Sequence, residues 1–209
     1  GDNPNKLKTY ESKNRWELKK NDKFYKGVDE NFPIDNCIHS FFGVSKTYAD
    51  LIVQEYGRNI GLNTVSFRGG CITGPNHSGA KLHGFLSYLV KSCLSKKKYS
   101  LIGYKGKQVR DNLHSSDLIN CFWEFFKKPK KGEIYNIGGG RHSNCSILEA
   151  IDIIEKECKI EIKKNFVKLP RVGDHIWYIS NTSKFKKDYP KWKQKYNTKK
   201  IIKELIENS

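Results

Sequence analysis

Apolar positions recur at three-to-four spacing over residues 44–60, where Val44, Tyr48, Leu51, Ile52 and Tyr56 share one side and Gly61 follows as a stop. This predicts an amphipathic helix. Thr64-Val65-Ser66-Phe67 reads as a short buried strand that feeds a Gly-rich turn over 68–75. The helical spacing returns over 82–94, with Leu82, Phe85, Leu86, Leu89 and Val90, and again over 117–126. Strands are predicted at 99–103, at 109–114 and at 133–137, the last closed by Gly138-Gly139-Gly140. Ser146 with Glu149 three residues on predicts a capped helix over 146–158. Strands at 161–167 and 176–179 and a terminal helix over 198–206 complete the series. Residues 1–38 hold no sustained period and read as loop-rich. Helices alternating with strands predict an α/β fold. The 209 residues suffice for one substantial core, or a core with a small lobe.

Composition narrows the classes. No run approaches the ~18 apolar residues of a membrane span, and no signal-peptide pattern occurs, so no membrane partner is expected. The cysteines at 37, 71, 93, 121, 145 and 158 form no C-x-x-C pair, which argues against a metal site. Scattered thiols suit a reduced cytoplasmic compartment. The net charge of +17 raises nucleic acid as a partner. Its distribution argues otherwise, because only six of the 39 basic residues are arginines. The lysines spread along the chain and thicken towards its end, as at Lys184, Lys186, Lys187, Lys191, Lys193 and Lys195. A solvated lysine surface fits that pattern better than a binding groove. No methionine is present, and Gly1-Asp2-Asn3-Pro4 reads as a loop already under way, so the chain is expected to be a segment of something longer or a trimmed one.

No strand–G-x-G-x-x-G–helix unit occurs, so the first mononucleotide-binding half of a Rossmann fold is not among these residues. Other motifs run in one order. They are Ser40-Phe41-Phe42-Gly43-Val44-Ser45-Lys46, Phe67-Arg68 with Thr73-Gly74-Pro75, and Gly106 to Asp117. Tyr135-Asn136-Ile137-Gly138-Gly139 and Arg171-Val172-Gly173-Asp174 follow. Together they resemble the extended short-chain dehydrogenases that act on nucleotide sugars, the NAD-dependent epimerases and dehydratases. Within that family Val53 to Arg58, Thr73 to Ser78 and Leu82 to Leu86 are most similar to the CDP-paratose (CDP-tyvelose) 2-epimerases.

The resemblance implies the C-terminal part of a Rossmann-type parallel sheet domain plus a small α/β substrate-binding lobe. Residues 1–80 would be the remainder of the cofactor domain with its active-site helix. Residues 81–209 would be mainly the nucleotide-sugar lobe, with a return strand to the sheet. The implied cofactor is NAD, though not for this segment alone, whose N-terminal Rossmann portion is missing. The implied substrate is a CDP-linked sugar, and the exposed side of helix 44–60 would pair two copies. The implied reaction is epimerisation by transient hydride transfer, with a non-catalytic sugar-nucleotide-binding remnant as the alternative.

The family places a Tyr four residues before a Lys, and here Phe42 holds the Tyr position ahead of Lys46. A neighbouring ammonium lowers a phenol's pKa from its ordinary ~10 and makes it a usable base. Phe42 has no proton to transfer, so general acid–base help worth ~10²–10⁴-fold is lost there. His39, Ser45, Tyr48 and Cys71 are the substitutes weighed. His39 is preferred because it titrates near neutrality, whereas Tyr48 faces away around the helix. By the resemblance Lys46, Arg68 and Cys71 face the cofactor, and Leu82, His83, Arg110, Arg171 and Asp174 face the substrate. Arginine's rigid fork suits a diphosphate. The competing structural reading pairs Arg110 with Asp117 and Arg171 with Asp174. His114 and Asp117 are expected to order a strand–helix corner, and Trp16, Trp123, Trp177 and Trp192, which show no stacking pattern, to pack in the core or the lobe.

Overall fold

The computed structural model describes residues 6–34, 39–80, 84–171 and 173–209. In chain order the first elements are β1 (Thr9–Glu11), β2 (Trp16–Leu18), α1 (Phe41–Arg58), β3 (Val65–Gly69), β4 (Cys71–Thr73) and α2 (Phe85–Leu94). Then come β5 (Tyr99–Ile102), β6 (Val109–His114), α3 (Ser115–Lys127), β7 (Glu133–Ile137), β8 (Asn144–Ser146) and α4 (Ile147–Cys158). The last are β9 (Lys164–Val167), β10 (Trp177–Tyr178), α5 (Ser183–Asp188) and α6 (Thr198–Glu207).

The fold is α/β with parallel pairing throughout its centre. β3 pairs with β7, β5 with β9, and both β4 and β10 with β6. β8 runs antiparallel to β6, and β1–β2 form an antiparallel hairpin. That hairpin lies where the sequence predicts loop, because three-residue strands are too short to show a period. Long-range polar contacts dock it. Glu17 of β2 accepts from Arg141 at 2.8 Å and from the Trp177 indole at 3.0 Å.

α1 begins three residues before the predicted start because Ser40 caps it. The Ser40 hydroxyl accepts the Gly43 amide at 3.1 Å. Near its other end Gly57 meets the turn at Gly132 backbone to backbone, where a Cβ would come within 2.0 Å of the Gly132 nitrogen. β4 falls inside the predicted Gly-rich turn 68–75, since its pairing to β6 is set by partners some 40 residues away in sequence.

Three apolar cores hold the layers. Leu86 and Leu89 of α2 pack with Ile151 and Ile154 of α4 and with Ile201 and Leu205 of α6. Tyr135 of β7, Phe125 of α3, Phe185 of α5 and Trp192 make an aromatic core that Phe67 joins from β3. Leu18, Val28, Val109, Trp177 and Ile179 fill the space beside the hairpin. Trp177 and Trp192 are therefore core residues, but Trp123 is 56% exposed and stacks on Phe126 at 5.6 Å. α3 turns Cys121 and Phe125 inward, which leaves Trp123 on the outer side.

The Gly138-Gly139-Gly140 run is a packing device. A Cβ on Gly138 would sit 2.2 Å from the buried Asp111 carboxylate. Asp111 accepts the amides of Gly140 at 3.0 Å and Ser180 at 2.9 Å, tying that turn to the end of β10. The corner between β6 and α3 is ordered as the sequence predicts. His114 Nδ1 accepts the Ser116 amide at 3.1 Å, and buried Asp117 accepts the amides of Lys195 and Tyr196 at 3.1 Å.

Candidate functional site

A cavity of about 850 Å³ lies between α1, β3, the 28–34 loop and the segment entering β10. α1 contributes Phe42, Lys46 and Asp50, which share one helix face at four-residue spacing. Ser66 and Arg68 alternate onto the same side of β3. His175 and Tyr178 complete the wall.

Lys46 Nζ lies 5.3 Å from the Phe42 ring centroid. Among the described residues no carboxylate stands within ion-pair distance of it. Asp50, one turn on, is already committed to Arg68. The guanidinium grips it with both arms, Nε at 3.1 Å and NH2 at 2.7 Å. Gln54 donates at 2.8 Å, and Ser66 adds a further short bond. Burial pushes the Asp50 carboxyl up, but these donors outweigh it and hold it below its ordinary range. Arg68 also donates to the Glu30 carbonyl at 3.3 Å. It is thus a wall-building residue of the cavity.

A second cationic cluster stands beside the cavity. Arg110 of β6 donates to Asp174 at 2.6 Å, to the His175 carbonyl at 2.5 Å and to the Val109 carbonyl at 2.7 Å. Its carboxylate partner is Asp174, in place of the Asp117 pairing weighed from sequence. Arg171 approaches the other Asp174 oxygen at 3.8 Å and is half-exposed. One carboxylate therefore sits between two guanidinium groups, one on β6 and one on the loop that carries Asp174.

The other sequence candidates lie elsewhere. His39 Nε2 is 2.7 Å from the Ile34 carbonyl, and its ring is not part of the cavity wall. Tyr48 is 66% exposed on the outer side of α1. The Ser45 hydroxyl donates back to the Phe42 carbonyl at 2.8 Å. Cys71 sits on β4 opposite Asn112, and burial pushes its thiol up to about 11, so it is a neutral thiol at pH 7. Leu82 and His83 lie outside the described residues.

Sequence reasoning missed His175 and Tyr178. Their signal was proximity: His175 directly follows the Arg171–Asp174 motif and Tyr178 comes three residues later. The two rings are stacked, with centroids 6.1 Å apart. Burial and the Arg110 charge push the His175 pKa down to about 4, with Asp174 opposing. Burial raises the Tyr178 phenol above its ordinary range. Both are neutral at physiological pH.

A nicotinamide dinucleotide fits these residues at one end only. The Lys46 ammonium on the cavity wall suits a ribose. No Gly-rich loop at a helix N-terminus is present in the sequence to cradle the pyrophosphate.

The chain resembles known proteins in sequence and in fold. Residues 25–138 match the profile of the NAD dependent epimerase/dehydratase family. The chain is 32% identical over 165 residues to a CDP-paratose 2-epimerase of Salmonella typhi, spanning 76% of this chain and 48% of that protein. It is 28% identical over 157 residues to a dTDP-glucose 4,6-dehydratase of Escherichia coli, spanning 70% of this chain and 42% of that protein. The crystal structure of dTDP-glucose 4,6-dehydratase from Bacillus anthracis in complex with NAD superposes with a TM-score of 0.73 at 25% identity, covering 92% of this chain and 57% of that one. The chain thus spans about half the length of the curated relatives it matches. With more than half of its residues inside the family profile, the chain belongs to the NAD dependent epimerase/dehydratase family.

Proposed function

We propose that this chain is the nucleotide-sugar side of an NAD-dependent epimerase of the CDP-sugar 2-epimerase type. The observation that carries the reading is Lys46, without a carboxylate partner among the described residues, on a cavity wall that adjoins the Arg110–Asp174–Arg171 cluster. When bound, the dinucleotide takes hydride from a sugar carbon and returns it. Lys46 holds the nicotinamide ribose. Arg110, Arg171 and Asp174, with Leu82 and His83, hold the substrate's nucleotide and diphosphate. Arg68 shapes the wall behind the cofactor.

The Gly-rich cradle comes from an N-terminal Rossmann portion outside these residues. Three features support that division. Among the described residues β3 pairs on one side only. α1 and α3 flank it, Phe42 standing exposed on the cavity side of one and Ile119, Trp123 and Phe126 forming an exposed apolar stripe on the other. On this reading residues 1–80 belong to the cofactor side and 81–209 mainly to the sugar lobe. The outer side of α1 pairs two copies, and the protein works in the cytoplasm. Among the described residues no helix is long and apolar enough to cross a membrane.

Phe42 favours a second reading, a nucleotide-sugar-binding module that has lost turnover. Calorimetry separates the possibilities. CDP-glucose and CDP should bind saturably, with NAD binding weak until the Rossmann portion is supplied. Turnover on adding that portion selects the enzyme; binding without turnover selects the module. Affinity for RNA that collapses with salt, with CDP unbound, would overturn both.

A further inference from the structure

Phe42 leaves the cavity without the phenol that the family motif expects, and the substitutes visible in sequence are occupied or turned away. His39 meets the Ile34 carbonyl, Ser45 bonds back to its own helix, Tyr48 points outward and Cys71 holds its proton. One imidazole does line the cavity that Phe42 and Lys46 line, and it belongs to His175.

Its placement is fixed by the main chain. The His175 amide donates to Asp174 at 3.0 Å, and its carbonyl accepts from Arg110 at 2.5 Å. The ring lies over Tyr178, and neither ring nitrogen bonds a described residue. A fixed backbone with an uncommitted imidazole is the arrangement a substrate hydroxyl requires.

We propose that His175 is the proton-transfer group of this site: its imidazole hydrogen-bonds a hydroxyl of the bound sugar and takes the proton that Phe42 cannot. This rests on the nucleotide-sugar reading above. In the forward step the sugar O–H bond breaks and an N–H bond forms on the ring. The hydride on the same carbon passes to the nicotinamide cofactor, and a C=O bond forms. The return step reverses both transfers, with hydride arriving on the opposite face.

The charges around the cavity set when the ring can accept. Arg110 reaches it from β6, Asp174 from its own loop, Lys46 and Asp50 from α1, Arg68 from β3 and Asp29 from the 28–34 loop. In the free chain burial and Arg110 keep the ring neutral and weakly basic. A diphosphate neutralising Arg110 removes one of those two effects and draws the ring towards neutral pH, where a general base is most effective. Substrate binding thus arms the base.

The test uses the 209-residue chain with CDP and CDP-glucose as probes, read by calorimetry and by NMR titration of the imidazoles. His175→Gln assigns the His175 ring signals. The variant should weaken CDP-glucose about tenfold and CDP less than about twofold, because the lost contact is to sugar. In the unaltered chain, saturating CDP-glucose should raise the His175 midpoint by at least about one unit. Equal weakening of both ligands, or none, overturns the inference, as does a midpoint that stays put with CDP-glucose bound; in each case the nucleotide-sugar reading survives. If the unaltered chain binds neither probe, that reading fails and the inference with it. The midpoint measurement does not depend on the variant folding.

Discussion

Lys46 holds its ammonium 5.3 Å from the centroid of the Phe42 ring, one helical turn away and on the same cavity wall. A phenol hydroxyl introduced by Phe42→Tyr would therefore come under the influence of that charge. At ~4 Å the attraction is about 1 kcal/mol in water and about 4 kcal/mol at an effective dielectric of ~20. These correspond to a phenol pKa lowered by about 0.7 or about 3 units. Phe42 is 69% exposed, so the smaller figure applies to this chain by itself. Ultraviolet titration of the Phe42→Tyr variant should show that depression. It should vanish when Lys46→Met is added, and equal midpoints in the two variants would refute the coupling. With the Rossmann portion present and water excluded, the same substitution should move the pKa further and raise turnover.

The bidentate Arg68–Asp50 pair fastens α1 to β3, and both side chains are largely buried. Removing one partner leaves the other charge stranded, which costs about 3 kcal/mol at such sites. Asp50→Ala should lower unfolding stability by roughly that amount in urea. The pH dependence follows from the depressed carboxyl. Its contribution is fully present above the unfolded pKa near 4 and is lost as pH falls through the lower folded value. The gap between wild type and Asp50→Asn should therefore shrink steadily below about pH 4. A gap constant down to pH 2 would mean the pair contributes nothing as an ion pair.

How much of this was legible follows from range in sequence. The α1 face, the Ser146 cap and the α/β alternation rest on neighbours within a turn or two, and the pattern shows them. The Arg68–Asp50 pair spans 18 positions and the Arg110–Asp174 pair 64, so no local signal announces either. β1, β2, β4 and β8 are three residues each, shorter than the period that reveals a strand. At the site Lys46 was readable from its motif. His175 was not, because its importance comes from sharing a cavity with a residue 129 positions away.

His175 also carries a stability signature independent of any ligand. Burial and Arg110 depress its folded pKa to about 4, against about 6.5 when unfolded. Between those values the unfolded chain binds a proton that the folded chain does not. Stability should thus be complete above about pH 6.5 and fall as pH drops towards 4, by at most about 3 kcal/mol. Denaturation of wild type and His175→Gln at pH 7.5, 6, 5 and 4 isolates the effect as a difference. The two should diverge below pH 6.5, with wild type losing more. Parallel curves would show that the ring titrates as in water.

The start of α4 tests whether the site depends on a distant cap. The Ser146 hydroxyl accepts the Glu149 amide at 3.0 Å, and Glu149 returns a bond to the Ser146 amide at 2.8 Å. The same hydroxyl donates to the Asn14 carbonyl at 2.6 Å, joining α4 to the hairpin. Ser146 also pairs with Val109 across β8 and β6, next to Arg110. Ser146→Ala removes the cap, costing about 1 kcal/mol, and strands the Asn14 carbonyl for about 1 kcal/mol more. Ser146→Thr keeps both the cap acceptor and the donor, so it should retain most of the stability. Because Val109 precedes Arg110 on β6, the alanine variant should also weaken CDP binding, while the threonine variant should bind nearly as wild type. Urea denaturation and CDP calorimetry on the two variants measure both quantities. Stability unchanged within about 0.5 kcal/mol in the alanine variant would show that α4 is held by its apolar face alone.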